Sequence, residues 1–186
     1  MDKQRVFFAI PIPETMKQVI ARAVSNERVS FKQARWIPED KWHITVLQPQ
    51  YWDEDEIRYH MDILQDRIRQ APFAVTMRAV VLGPNSRMPS MIWAVAQQND
   101  DYVSLVEQTQ SILSDAGAEL RVAHRDEKII HVTLARFASI FSSRFQWEDK
   151  ALNESFTVDR MELWHVDLKP TGAEYRNIGT IELTTG

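Results

Sequence analysis

Two short segments constrain this chain more than anything else in it: His43-Ile44-Thr45-Val46 and His131-Val132-Thr133-Leu134. Each alternates polar with apolar residues, the period-two pattern of a half-buried strand. His43 and Thr45 therefore share one face, with Trp42, Ile44 and Val46 on the other. In the second segment His131 and Thr133 oppose Ile130, Val132 and Leu134. Each apolar set can fill a core while its polar pair faces a cleft. The motifs stand 88 positions apart, at comparable places in two similar halves. A pseudo-symmetric pair of sheets would bring both polar faces together.

Strands and helices alternate around these segments. Val6–Ile10 reads as a strand bounded by prolines, and Pro13-Glu14 opens a helix whose apolar face is Met16, Val19, Ile20, Ala23 and Val24. A strand region from about Arg35 to Gln48 follows. Asp53 with Glu56 three residues on has the form of a capping box, heading a helix with Ile57, Met61, Leu64 and Ile68 inward. Strands are predicted over about 73–82 and 91–96. A third helix is expected from near Asp100 to Gly117, with Val103, Val106, Ile112 and Leu113 inward. Further strands are expected over about 129–137, 156–167 and 175–183, the last two joined by a turn at Pro170-Thr171-Gly172. The pattern is α+β: two similar lobes of mainly antiparallel sheet with outer helices around a central cleft. Nothing splits the chain, so residues 1–186 are expected to form a single domain of two pseudo-symmetric lobes.

The chain has 186 residues, 44% hydrophobic and 26% charged, enough apolar material for a core without metal or disulfide staples. It has no cysteine, which removes thiol catalysis and thiolate zinc sites. A net charge of −4 argues against a protein that coats long nucleic acid. A pocket for one terminal phosphate needs only a local positive patch. No stretch approaches transmembrane length and no signal peptide is evident, so a cytoplasmic protein with no membrane association is expected. No obligate protein partner is evident.

Paired histidines suit one kind of chemistry. Opening a cyclic phosphodiester needs a base to activate water and an acid to protonate the leaving oxygen, and imidazole can do either near neutral pH. In-line displacement sets attacker and leaving group on opposite sides of phosphorus, so one histidine per side is the natural arrangement. Thr45 and Thr133 could donate to the non-bridging oxygens. Arg136 could add a charged fork for the same oxygens. Strict alternation puts Arg136 on the face opposite His131, so its reach requires a bulge or the strand's end.

These residues, with Arg5–Glu14, Arg35-Trp36-Ile37-Pro38, Met91–Val95 and Leu168–Tyr175, resemble the 2H phosphoesterases, specifically the 2′-5′ RNA ligase / RNA 2′,3′-cyclic phosphodiesterase group. The resemblance implies hydrolysis of RNA 2′,3′-cyclic phosphate ends to 2′-phosphate ends, without metal or nucleotide cofactor. It implies His43 as proton donor to the leaving 3′ oxygen and His131 as the base on water. In some members it also implies 2′-5′ joining of RNA ends. The chain departs from the group at Leu47-Gln48-Pro49-Gln50, where an aromatic-Leu-Gly continuation is expected. It departs again at Ile129-Ile130, where proline or a basic residue is expected.

A lone strand histidine is more often structural than catalytic. Here Thr fills 10 of 186 positions, so two His-x-Thr pairs among five histidines would arise by chance in roughly three sequences in a hundred. His60 reads as a solvated or boundary helix residue, His124 as loop, and His165 as a strand residue with a smaller claim on the cleft. Of Phe7 and Phe8, at least one is expected in the core. Trp36, Trp42 and Trp93 likewise read as core, and Asp53–Glu56 as helix capping rather than a metal site. Two alternatives stay open: the same chemistry on a small cyclic phosphate nucleotide, and a module that binds RNA ends without turnover.

Overall fold

The computed structural model describes residues 2–85, 87–121, 129–138, 147–170 and 172–184. Nine strands are defined among them: β1 (Gln4–Pro11), β2 (Arg35–Trp36), β3 (His43–Trp52), β4 (Phe73–Gly83), β5 (Met91–Ala96), β6 (His131–Arg136), β7 (Lys150–Val158), β8 (Arg160–Lys169) and β9 (Gly172–Glu182). Four helices join them: α1 (Glu14–Ala23), α2 (Ser25–Ser30), α3 (Glu54–Arg67) and α4 (Asp100–Asp115).

The strands form one antiparallel sheet in the order β7-β4-β5-β6-β3-β1-β8-β9, with β2 also pairing to β6. Its two four-stranded halves meet at β3 and β6, where the one register pair is Ile44 opposite Val132. The mixed α+β class and the antiparallel sheet agree with the sequence pattern.

Local chemistry explains the helices. Asp53 accepts from the backbone N–H of Glu56 at 3.0 Å while the Glu56 carboxylate accepts from Asp53 N–H at 2.8 Å, the predicted capping box. Such a cap contributes about 1 kcal/mol. Asn99 caps α4 through Tyr102 N–H, and that helix ends before Gly117, whose φ of +87° suits glycine. Its inward face is Tyr102, Leu105, Val106, Thr109 and Leu113; Val103 and Ile112 lie at the margin.

The helix side of the sheet buries the main core, with Phe8, Ile10, Ile20, Ile44, Leu64, Val132 and Leu163 almost fully enclosed. A small second cluster of Phe7, Ala9, Trp164 and Val166, flanked by Ala173 and Tyr175, is separate from it. Phe7 and Phe8 thus divide between the two clusters, as strand alternation requires.

Some elements differ from the sequence reading. The strand expected from Arg35 breaks into β2, a 3-10 turn at Glu39–Lys41 and then β3, which runs on to Trp52. Pro38 heads that turn and forces the break. The strand expected over 156–167 is two strands, β7 and β8, interrupted at Asp159. His60 is buried at 4% exposure against Trp52, with ring centroids 4.4 Å apart, rather than solvated. Asp53 lies at the N-terminus of α3 as predicted. His124 and Thr171 of the expected turn lie outside the described residues.

Candidate active site

The pairing of β3 with β6 brings the two motifs together. In an antiparallel pair a local two-fold axis passes between opposed residues, so with Ile44 against Val132 it relates residues of β3 to residues 88 later on β6. That is the spacing of the two histidines. Counting outward from this pair sets His43 against Thr133 and His131 against Thr45. All four side chains line one cleft of about 490 Å³.

The likeness extends further along both strands. Residues 43–48 and 131–136 share one burial sequence: half-buried, buried, half-buried, buried, buried, exposed. In each, the fourth residue is a bulge. Thr45 and Leu47 pair with Ala9 and Phe8, skipping Val46; Thr133 and Ala135 pair with Trp93 and Ile92, skipping Leu134. A bulge inverts the side-chain phase beyond it. Arg136 is thereby returned to the cleft side and lines it with His131 and Thr133. The Leu134 carbonyl at the bulge accepts from Ile37 N–H at 2.8 Å.

Both histidines are oriented in the same way. His43 Nδ1 lies 2.8 Å from the Lys41 carbonyl and His131 Nδ1 lies 2.9 Å from the Ile129 carbonyl, each two residues back. A carbonyl can only accept, so Nδ1 carries the proton in both rings and Nε2 is the titrating nitrogen.

Their surroundings differ. His43 is enclosed by Phe7, Trp164 and Tyr175, with ring centroids 4.9, 5.1 and 5.6 Å away. Burial in this cage lowers its pKa to about 4; the Lys41 carbonyl opposes the shift, and the positive charges of His131 and Arg136 add to it. His131 stacks on Trp93, centroids 4.0 Å apart and planes 27° from parallel. The face of an indole attracts a cation.

The cleft is positive although the chain is acidic. Arg5, Arg35, Lys41 and Arg136 line it, and no aspartate or glutamate is among its described lining residues. Arg35 stands opposite Arg136 in the β2–β6 ladder. Like charges so placed are unfavourable unless an anion lies between them. Among the described residues no three His, Asp or Glu side chains gather in a way that could hold a metal ion.

Several supporting residues were not legible as such. Tyr102 on α4 donates to the Thr45 carbonyl at 2.7 Å. Trp93, expected in the core, is buried yet presents a face to His131. Trp42 is core as expected, and Trp36, half-buried beneath Arg28, packs against the same core. His165 is not among the cleft-lining residues; Val166 and Leu168 of the same strand are, and His165 lies 3.8 Å from Asp167.

This fold is that of the 2H phosphoesterases. Residues 10–93, which carry the first His–Thr motif, match the family model described as LigT like Phosphoesterase. The chain resembles the LigT-like phosphoesterases in this segment and in its fold. It is 25% identical over 179 residues to an RNA 2′,3′-cyclic phosphodiesterase of Thermotoga maritima, covering 92% of this chain and 91% of that one. A protein of the same description from Methanocaldococcus jannaschii is 25% identical over 180 residues, covering 94% and 98%. The crystal structure of Escherichia coli LigT superposes with a TM-score of 0.79 at 22% identity, over 99% of both chains; that protein has also been crystallised with 3′-AMP.

Proposed function

We propose that this cleft hydrolyses the 2′,3′-cyclic phosphate ends of RNA to 2′-phosphate ends, using His43 and His131 as a base and acid pair. The observation that carries the reading is the two-fold repeat of His and Thr about Ile44–Val132, with each imidazole tautomer set by the carbonyl two residues back. The two relatives described as RNA 2′,3′-cyclic phosphodiesterases support it, as does the 3′-AMP complex of the Escherichia coli protein.

In this reading water attacks phosphorus while the bond to O3′ breaks in line. One histidine takes a proton from the water and the other gives a proton to O3′, leaving a 2′-phosphate and a 3′-hydroxyl. Thr45, Thr133 and Arg136 donate to the non-bridging oxygens. Burial lowers the His43 pKa in the empty cleft, and a bound phosphate anion acts against that shift. The family resemblance gives His43 the proton donated to O3′ and His131 the role of base on water. The basic lining favours an RNA end over a small cyclic nucleotide, because further backbone phosphates would meet Arg5 and Arg35.

The test is incubation with the four nucleoside 2′,3′-cyclic phosphates and an oligonucleotide ending in one, with 2′ and 3′ products separated. A 2′-phosphate product, formed faster from the oligonucleotide, is expected. No turnover of any member would reject the hydrolytic reading.

A further inference from the structure

The two bulged strands end their repeat in different side chains. Counting each histidine as the first, the sixth residue is Gln48 on β3 and Arg136 on β6; both are exposed and both line the cleft. The two-fold axis through Ile44–Val132 gives Gln48, beyond Thr45 at the His131 end, the position Arg136 holds beyond Thr133 at the His43 end.

The backbone here is held in place. The Gln48 carbonyl accepts at 2.7 Å from the side-chain amide of Gln50, which is 2% exposed. That amide also donates to the Arg121 carbonyl and accepts from Arg121 N–H, each at 2.9 Å. Among the described residues the Gln48 side chain has no hydrogen-bond partner, and no carboxylate lines the cleft to compete for its two N–H donors.

We propose that Gln48 is a specificity-determining contact, donating to the substrate phosphate from the side opposite Arg136 and, being neutral, favouring a singly charged diester over a doubly charged monoester. A cyclic phosphate carries one negative charge. The monoester formed on ring opening approaches two, since its second ionisation lies near pH 6. Arginine at both positions would match the dianion and retain the product. With an amide in place of a second arginine, the product is held less well. The inference rests on the phosphoesterase reading of the cleft.

Gln48→Glu and Gln48→Arg in the full chain each keep a long polar side chain at this exposed position, so together they probe the contact by charge. Inorganic phosphate is titrated at pH 8 and followed by NMR shifts, without turnover; KM for a 2′,3′-cyclic nucleotide and the inhibition constant of the 2′-nucleotide are measured beside it. Gln48→Glu should weaken phosphate binding about tenfold, and Gln48→Arg should tighten it about fivefold while lowering the 2′-nucleotide constant more than KM. Phosphate affinities within twofold of wild type in both variants would overturn the proposal. So would an equal effect of Gln48→Arg on diester and monoester, or no phosphate-dependent shift in wild type. A protein that binds phosphate in this Gln48-dependent way but leaves cyclic phosphates intact would sink the hydrolytic reading and keep the contact.

Discussion

The Tyr102 hydroxyl donates to the backbone carbonyl of Thr45 at 2.7 Å, tying α4 to the strand residue whose own hydroxyl lines the cleft. The phenol is buried enough to raise its pKa to about 12, so it stays a donor throughout the working range. Tyr102→Phe removes this hydrogen bond one residue before the bulge at Val46. A loss of about 1–3 kcal/mol is expected, because an unmade buried hydrogen bond costs its full desolvation. Urea unfolding measures it; an unchanged midpoint would show that the bond contributes nothing.

Trp93 can lie against His131 because position 83 has no side chain. A Cβ on Gly83 would stand 2.6 Å from the Trp93 ring. Gly83→Ala therefore forces the indole off its site, costing about 1–3 kcal/mol of stability by overpacking. Turnover should fall roughly tenfold or more through the displaced imidazole, with KM changing less. Steady-state kinetics on the folded variant separates the two; wild-type kcat would show that His131 does not depend on this stack.

Acid should destabilise the protein through His43. Its pKa is about 4 in the folded state and about 6.5 in an unfolded chain, so between those values the unfolded state binds the extra proton. The stability associated with the neutral ring is fully present above pH 6.5 and is lost as pH falls towards 4, amounting to about 3 kcal/mol. In urea unfolding between about pH 7.5 and 4.5, wild type should lose more stability on acidification than His43→Leu, which has no group to titrate there. Parallel stability curves would contradict this account of the cage.

The motifs were legible because strand alternation is a strong signal: His43, Thr45, His131 and Thr133 fall on the cleft side as their spacing implied. The helix at Asp53 was legible because capping is local chemistry. Arg136 was ambiguous for the opposite reason. Its side depends on a bulge at Leu134, set by pairing with β5 and by the Ile37 N–H, both distant in sequence. β7 carries little apolar alternation in Lys150–Ser155, so its pairing to β4 supplies what its own residues do not announce. His60 reads as a solvated or boundary residue because helix position alone does not reveal that Trp52 covers it. Tyr102 and Trp93 look like ordinary core residues, and only the tertiary fold sets them against Thr45 and His131.

The central claim is that His43 and His131 act as one unit on one displacement. It is tested most directly by timing hydrolysis of a 2′,3′-cyclic substrate by wild type, His43→Ala, His131→Ala and the double variant, each verified as folded. Each single change is expected to lower kcat by about 10²–10⁴, and the double variant to be far less than multiplicatively worse. Near-wild-type turnover in either folded single variant would contradict the two-histidine site.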